Sequence, residues 1–253
     1  MGGSSSAGAR LSPYRMSADA AAPAERPLDH LRVLAKQDVV VMPGLRHIEA
    51  YTLEGLLTFL WHGDPGNAHV VVMCGGAMGG LLGPAGGLYH ALGETFAAEG
   101  IGTIRVGYRR PNDLAACVLD VAAATDLAHR NGGRRFVLVG HSFGGAVAVN
   151  AGIVLRAMTA GVVALSTQSA GCETAGALRR PLLLLHGDRD ELLPVMASQA
   201  VQALAGTGEL EVLPGAGHLL TEAAEHLRDR LHRWIPDVLA RPLTDVDAGA
   251  AGG

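Results

Sequence analysis

Aromatic side chains make up only 4% of this 253-residue chain, charged ones only 17%, and there are three cysteines. Cys74, Cys117 and Cys172 are odd in number and widely spaced, which fits neither a disulfide framework nor a zinc-ligand pattern. Reduced thiols and no metal are therefore expected. No apolar run approaches the ~18 to 20 residues that a membrane-spanning helix needs, and the longest aliphatic stretches, such as Val70 to Cys74, have strand length. Nor is there an excess of basic residues: the net charge is -4 and the pI about 6.2, which excludes a strongly basic nucleic-acid surface. With 49% hydrophobic residues, wholesale disorder is excluded as well. The first 27 residues lack the apolar core of a secretory signal, so the cytoplasm is the expected location. Ser, Ala, Arg10, Arg15 and Arg26 would suit an organellar transit segment, but Asp19 and Glu25 do not.

What the chain has in abundance is small residues, with 35 glycines and many alanines, a bias that permits close packing of helices on a sheet. Its length suits one large domain. Residues 1–27 and 241–253 read as tails, being small, polar and broken by Pro or Gly, and residues 28–240 as the domain. A short helix is expected over Leu28 to Lys36, then a hairpin formed by His47 to Leu53 and Leu56 to His62. Strand-like runs at Val70 to Met73, Ile101 to Val106, Phe136 to Val139, Gly161 to Leu165, Pro181 to Leu185 and Glu209 to Leu213 then alternate with helical patterns at 86–99, 113–130, 143–156, 195–205 and 221–239. Such βαβ units predict an α/β fold, a mainly parallel twisted sheet with helices on both faces and its chemistry at the strands' C-terminal ends.

The sharpest local feature is Gly140-His141-Ser142-Phe143-Gly144-Gly145, where an apolar strand gives way to an Ala/Val helix. A serine nucleophile must stand above the sheet on a tight, strained turn, and glycines two residues to either side let strand and helix backbones approach without Cβ clashes. The first helical turn also leaves backbone N–H groups unpaired, that of Phe143 among them, which can point at a developing oxyanion. The same residues exclude nucleotide loops, since no Gly-x-x-x-x-Gly-Lys occurs and Ser142 stands where a dinucleotide fingerprint needs glycine.

Two further strands run into polar loops, His186-Gly187-Asp188-Arg189-Asp190-Glu191-Leu192-Leu193-Pro194 and Pro214-Gly215-Ala216-Gly217-His218. With these in view, residues 45–240 resemble the α/β-hydrolase family, whose late strands commonly end in His-Gly-x-x-Asp-x-x-Val-Pro and Gly-x-Gly-His. The resemblance implies the α/β-hydrolase fold, with Ser142 as nucleophile, Asp190 as acid and His218 as base, in the family's chain order. The roles make physical sense: an imidazole must take the serine proton, and a carboxylate behind the ring must fix its tautomer and stabilise the imidazolium. Asp188 is the rival acid, with capping of the next turn as its other use. His141, His186, His226 and His232 read as scaffold or helix residues, and no His-Glu-x-x-His spacing points to a metal.

The second oxyanion donor is expected from Gly76 or Ala77 in the loop after the first parallel strand, where relatives often have His in place of Cys74; Cys74 itself reads as a small buried apolar group. Only 48 positions separate Ser142 from Asp190, too few for an inserted cap, so no large lid is expected. Met78, Leu81, Leu82, Gln168, Ser169 and Leu192 or Leu193 are the candidate walls of an open substrate site. Arg109 and Arg110 could meet an anionic group, or make local salt bridges. The expected activity is that of a serine hydrolase acting on a small-molecule ester or related acyl bond through an acyl-enzyme, with no cofactor. Thioester or amide cleavage by the same groups, and a silent binding protein on the same fold, are the alternatives.

Overall fold

The computed structural model describes residues 26–243. The expected tails therefore lie almost wholly outside the described residues. The chain begins with a one-turn helix, α1 (Pro27–His30), and three antiparallel strands, β1 (Ala35–Met42), β2 (Leu45–Thr52) and β3 (Gly55–His62). Alternation follows: β4 (His69–Cys74), α2 (Leu88–Ala98), β5 (Gly102–Gly107), α3 (Leu114–Asn131), β6 (Arg135–His141), α4 (Phe143–Val154), β7 (Thr159–Leu165), β8 (Leu182–Gly187), α5 (Val195–Ala205), β9 (Glu209–Leu213) and α6 (Ala224–Ala240). The nine strands form one sheet in the order β1-β2-β3-β5-β4-β6-β7-β8-β9. From β5 to β9 all neighbours are parallel, and β3 joins β5 antiparallel.

The central strands are apolar along their whole length because both faces are covered. In β4, Val70, Val72 and Cys74 face the core layer shared with α3 and α4, whereas Val71 and Met73 face the layer under α2 and α6. Small residues set the spacing between layers. A Cβ on Gly152 of α4 would lie 2.7 Å from a Val162 methyl of β7, so the helix rides closer to the sheet than any other residue would allow. The capping also agrees with sequence: Asp113 accepts the Ala116 N–H at 3.0 Å to start α3, and Gly206 ends α5 in a left-handed conformation.

The first segment departs from expectation. Helix ends at His30, and Ala35 and Lys36 belong to β1, a strand that the apolar spacing of Leu28, Leu31 and Val33 concealed. All eight residues of β1 are exposed, so burial left no alternating pattern to read; pairing with β2, from Ala35 opposite Tyr51 to Met42 opposite Leu45, makes it a strand. Between β7 and β8 the only helical structure is a 3-10 turn, Ala175–Ala177. The fold is lidless. Among the described residues, no helix is long and apolar enough to cross a membrane.

Candidate active site

Four loops at the C-terminal edge of the sheet, after β4, β6, β8 and β9, carry the candidate residues. The turn after β6 is the most constrained. Ser142 has φ 58° and ψ -122°, a strained conformation for a residue with a side chain. A Cβ on Gly140 would fall 1.8 Å from the Gly144 carbonyl oxygen, and one on Gly144 would fall 2.3 Å from the Gly75 carbonyl oxygen. No other residue fits either position, so the glycines hold Ser142 at the corner and press the start of α4 against the loop after β4.

That loop walls the serine. A Cβ on Gly76 would sit 3.5 Å from the Ser142 Cβ, and Gly76, Ala77, Met78, Leu81 and Leu82 line one hollow with Ser142, His141, Leu192, His218 and Leu219. Two buried tyrosines hold the loop from below, Tyr89 donating to the Cys74 carbonyl at 2.8 Å and Tyr108 to the Gly75 carbonyl at 3.1 Å. Phe143 is buried and meets Tyr108 edge-on, while its backbone N–H stands in the first turn of α4, where no intrahelical acceptor exists. Cys74 is fully buried, and burial pushes its thiol up to about 12, so it is a packing residue rather than a nucleophile.

The acid loop and the base loop meet behind this hollow. Asp190 Oδ2 accepts from His218 Nδ1 at 2.7 Å, and Asp190 Oδ1 accepts the N–H groups of Leu192 and Leu193 at 2.9 and 2.8 Å. Burial pushes the Asp190 carboxyl up, but the Leu193 N–H, the His218 ring and the Leu192 N–H outweigh it and hold the group below the usual carboxylate range. Asp188, the rival, has its Oδ1 on the Gly215 N–H at 2.6 Å. It ties the two loops together instead of facing the His218 ring.

Asp190 also touches a second histidine. His186 Nε2 lies 3.2 Å from Asp190 Oδ2 and donates to the Leu193 carbonyl at 2.9 Å, while its Nδ1 is 2.7 Å from Ser198 Oγ. This is a Ser–His–Asp alignment too, but His186 and Ser198 are both 0% exposed and neither lines the hollow of Ser142. No substrate reaches Ser198. The pair braces the acid loop from inside the protein.

His141, expected as scaffold, has a definite place. Its Nε2 donates to the His218 backbone carbonyl at 2.9 Å, and the two rings stand 4.9 Å apart. Burial lowers its pKa to about 4 despite that hydrogen bond, so it is neutral at pH 7. Of the expected substrate contacts, Met78, Leu81, Leu82 and Leu192 line the hollow. Gln168 does not; its amide is turned onto the Ala170 carbonyl at 2.8 Å. Arg109 is buried against Asp120 and Glu54, and Arg110 pairs with Asp113, so both serve local ion pairs away from Ser142. Leu219 went unnoticed in the sequence although it directly follows His218. Among the described residues, no cluster of His, Cys, Asp or Glu is placed to hold a metal ion.

Sheet order, strained serine and Asp–His pair together define a serine hydrolase-type enzyme of α/β-hydrolase fold. Comparison with known proteins agrees. The Phospholipase/Carboxylesterase family model matches residues 125–229, from within α3 to within α6. Est1E from Butyrivibrio proteoclasticus is similar with a TM-score of 0.67 and 18% identity, over 77% of this chain and 99% of that one. An alpha-beta serine hydrolase homologue from Coxiella burnetii gives 0.62 and 19%, over 74% and 95%. A monoacylglycerol lipase from Paleococcus ferrophilus gives 0.60 and 16%, over 72% and 99%. No curated protein sequence matches the chain.

Proposed function

We propose that the protein hydrolyses carboxylic esters through an acyl-enzyme on Ser142, with His218 as the base and Asp190 as the acid that orients it. The observation that carries this reading is the 2.7 Å bond from His218 Nδ1 to Asp190 Oδ2 in a ring that borders the same hollow as Ser142. With Nδ1 held, Nε2 is the nitrogen left for chemistry. Ser142 Oγ attacks the acyl carbon as its proton passes to His218 Nε2, and Asp190 stabilises the imidazolium. The N–H of Phe143 and one from Gly76 or Ala77 receive the oxyanion. On collapse the alkoxide leaves with the proton from His218; water, deprotonated by the same nitrogen, then frees the acid and restores the serine.

A fluorophosphonate probe tests the assignment. The full chain should be labelled covalently on Ser142, and Ser142→Ala should abolish both the label and ester turnover beyond the small residue that binding and oxyanion donors supply. Undiminished labelling of that variant would remove Ser142 from the mechanism.

A further inference from the structure

The sheet ends in β1, which pairs only with β2. Every residue of the strand is exposed, Val39 to 55% and Val40 to 66%, and Leu34 just before it to 65%. Leu34 already runs in line with the strand, since its N–H donates to the Tyr51 carbonyl at 2.7 Å. An edge whose outward N–H and C=O groups are unpaired is a template for one more strand, and soluble proteins commonly blunt it with proline, a bulge or an inward charge. From Leu34 to Val40 there is no proline, and the register shift against β2 comes only past Val40. The two charges of this stretch lie tethered on the surface: Lys36 Nζ is 3.2 Å from Asp38 Oδ2, which also holds Arg46 at 2.8 Å, and the Lys36 side chain stays 45% exposed.

The order of side chains selects the partner. Read outward from Gln37, the stretch matches itself in both directions, Lys36 against Asp38, Ala35 against Val39 and Leu34 against Val40. When two copies pair antiparallel about a twofold axis, side chains directly opposite each other share a face, so the axis must pass at a residue and not between two. Centred on Gln37, the pairing sets Lys36 opposite the partner's Asp38 and Asp38 opposite the partner's Lys36. Ala35 then meets the partner's Val39, Leu34 meets the partner's Val40, and the two Gln37 amides face each other.

Neighbouring centres fail. One residue to either side, Lys36 or Asp38 would meet its own copy. Centred on Val39, the charges would lie opposite Val40 and Met42, and centred on Val40 the pairing runs into the register shift. The Gln37 centre also extends an apolar row: Ala35 lies beside Tyr51 and Tyr51 beside Leu56, both partly exposed at 38% and 40%, and the partner's Val39 continues it. We infer that the protein pairs with a second copy of itself through β1, antiparallel and centred on Gln37, so that two sheets become one. The hollow of Ser142 has no wall from β1, so both active sites stay open.

Sedimentation equilibrium of the full chain tests this from about 1 to 200 μM, the range in which so short an interface associates. The parent should pass from 26.0 kDa to twice that mass. Lys36→Glu sets a carboxylate against the partner's Asp38 at both contacts, and Asp38→Lys sets an ammonium against the partner's Lys36. Each variant alone should therefore dimerise at least about tenfold more weakly. Mixed one to one, the two variants place opposite charges at both contacts of a heterodimer, and association should return. Val40→Glu, opposite Arg46 in its own chain, should also weaken pairing by spoiling both contacts with Leu34. All three variants should unfold cooperatively and keep the parent's kcat/KM on a soluble p-nitrophenyl ester. A parent that stays at 26.0 kDa throughout overturns the inference, as does a mass beyond the dimer or charge variants that associate as the parent does. A mixture that fails to recover overturns the pairing about Gln37. If either charge variant does not fold, Val40→Glu decides, and association as strong as the parent's overturns the inference.

Discussion

Replacing Asp190 by Asn is the most searching test of the site, because the surrounding bonds dictate how the amide must sit. Asp190 Oδ1 accepts two backbone N–H groups, from Leu192 and Leu193, so the amide oxygen takes that place and the NH2 group is turned toward His218 Nδ1. His186 Nε2 faces the same side and carries a hydrogen, since it donates to the Leu193 carbonyl. The NH2 group therefore meets two nitrogens, and His218 can accept from it only by moving its own proton to Nε2. In that tautomer the ring cannot take the Ser142 proton. The charge is lost as well: at an effective dielectric of about 20, two unit charges ~3 Å apart interact by roughly 5 kcal/mol. That agrees with a loss of about 10⁴ in kcat, or ~5.4 kcal/mol of barrier. Asp188→Asn keeps an amide oxygen for the Gly215 N–H and should cost no more than about tenfold. The assay is kcat/KM on a soluble p-nitrophenyl ester together with the fluorophosphonate labelling rate, with thermal midpoints confirming that both variants fold. If Asp188→Asn is the worse of the two, Asp188 is the acid and the reasoning is wrong. If Ser142→Ala keeps turnover while Ser198→Ala abolishes it, the buried set is the catalytic one.

Two further outcomes follow from the same geometry. Because burial lowers the His141 pKa to about 4, from an unfolded value near 6.5, the unfolded chain binds this proton more readily than the folded one; stability should fall as pH drops from about 6.5 to 4, by about 3 kcal/mol from this group, and His141→Gln should flatten that part of a urea-unfolding pH profile. An unchanged slope would show that His141 is not held neutral. Gly144→Ala forces a Cβ to 2.3 Å from the Gly75 carbonyl oxygen and 2.9 Å from that of Cys74; a cost of about 3 kcal/mol is expected, a fall of roughly 6–12 °C in Tm, with slower probe labelling as the loop after β4 is displaced. A variant as stable and reactive as the parent would mean the elbow is looser than described.

Local sequence carried the repeating architecture. Continuous apolar runs such as Val70 to Cys74 and Phe136 to Val139 can only be strands buried on both faces, and the helices between them follow from spacing and from signals such as Asp113 and Gly206. The elbow was equally legible, because the strained serine turn needs glycines two residues to either side; Gly140 answers to the Gly144 carbonyl in the same turn, whereas the contact of Gly144 with the Gly75 carbonyl is made only in the folded sheet. β1 was not. Its eight residues are exposed, so nothing in their pattern reports burial, and they become a strand only by hydrogen bonding to β2.

The division at the site follows the same rule. Sequence placed Asp188 and Asp190 in one loop and could not tell their reach; tertiary packing turns Asp190 to His218, 28 residues away in the chain, and Asp188 to Gly215. His141 and His186 read only as scaffold and Ser198 as a helix residue; that His141 meets the His218 carbonyl and that His186 meets Ser198 of α5 is decided by the fold. The hollow in front of Ser142 is also a product of tertiary structure alone. Its walls come from the end of β6 and from the loops after β4, β6, β8 and β9, and a cavity exists only where separate segments converge. Periodicity and short-range sterics are properties of neighbouring residues and can be read along the chain; which carboxylate meets which imidazole, and where a substrate fits, is set by distances that only the folded sheet creates.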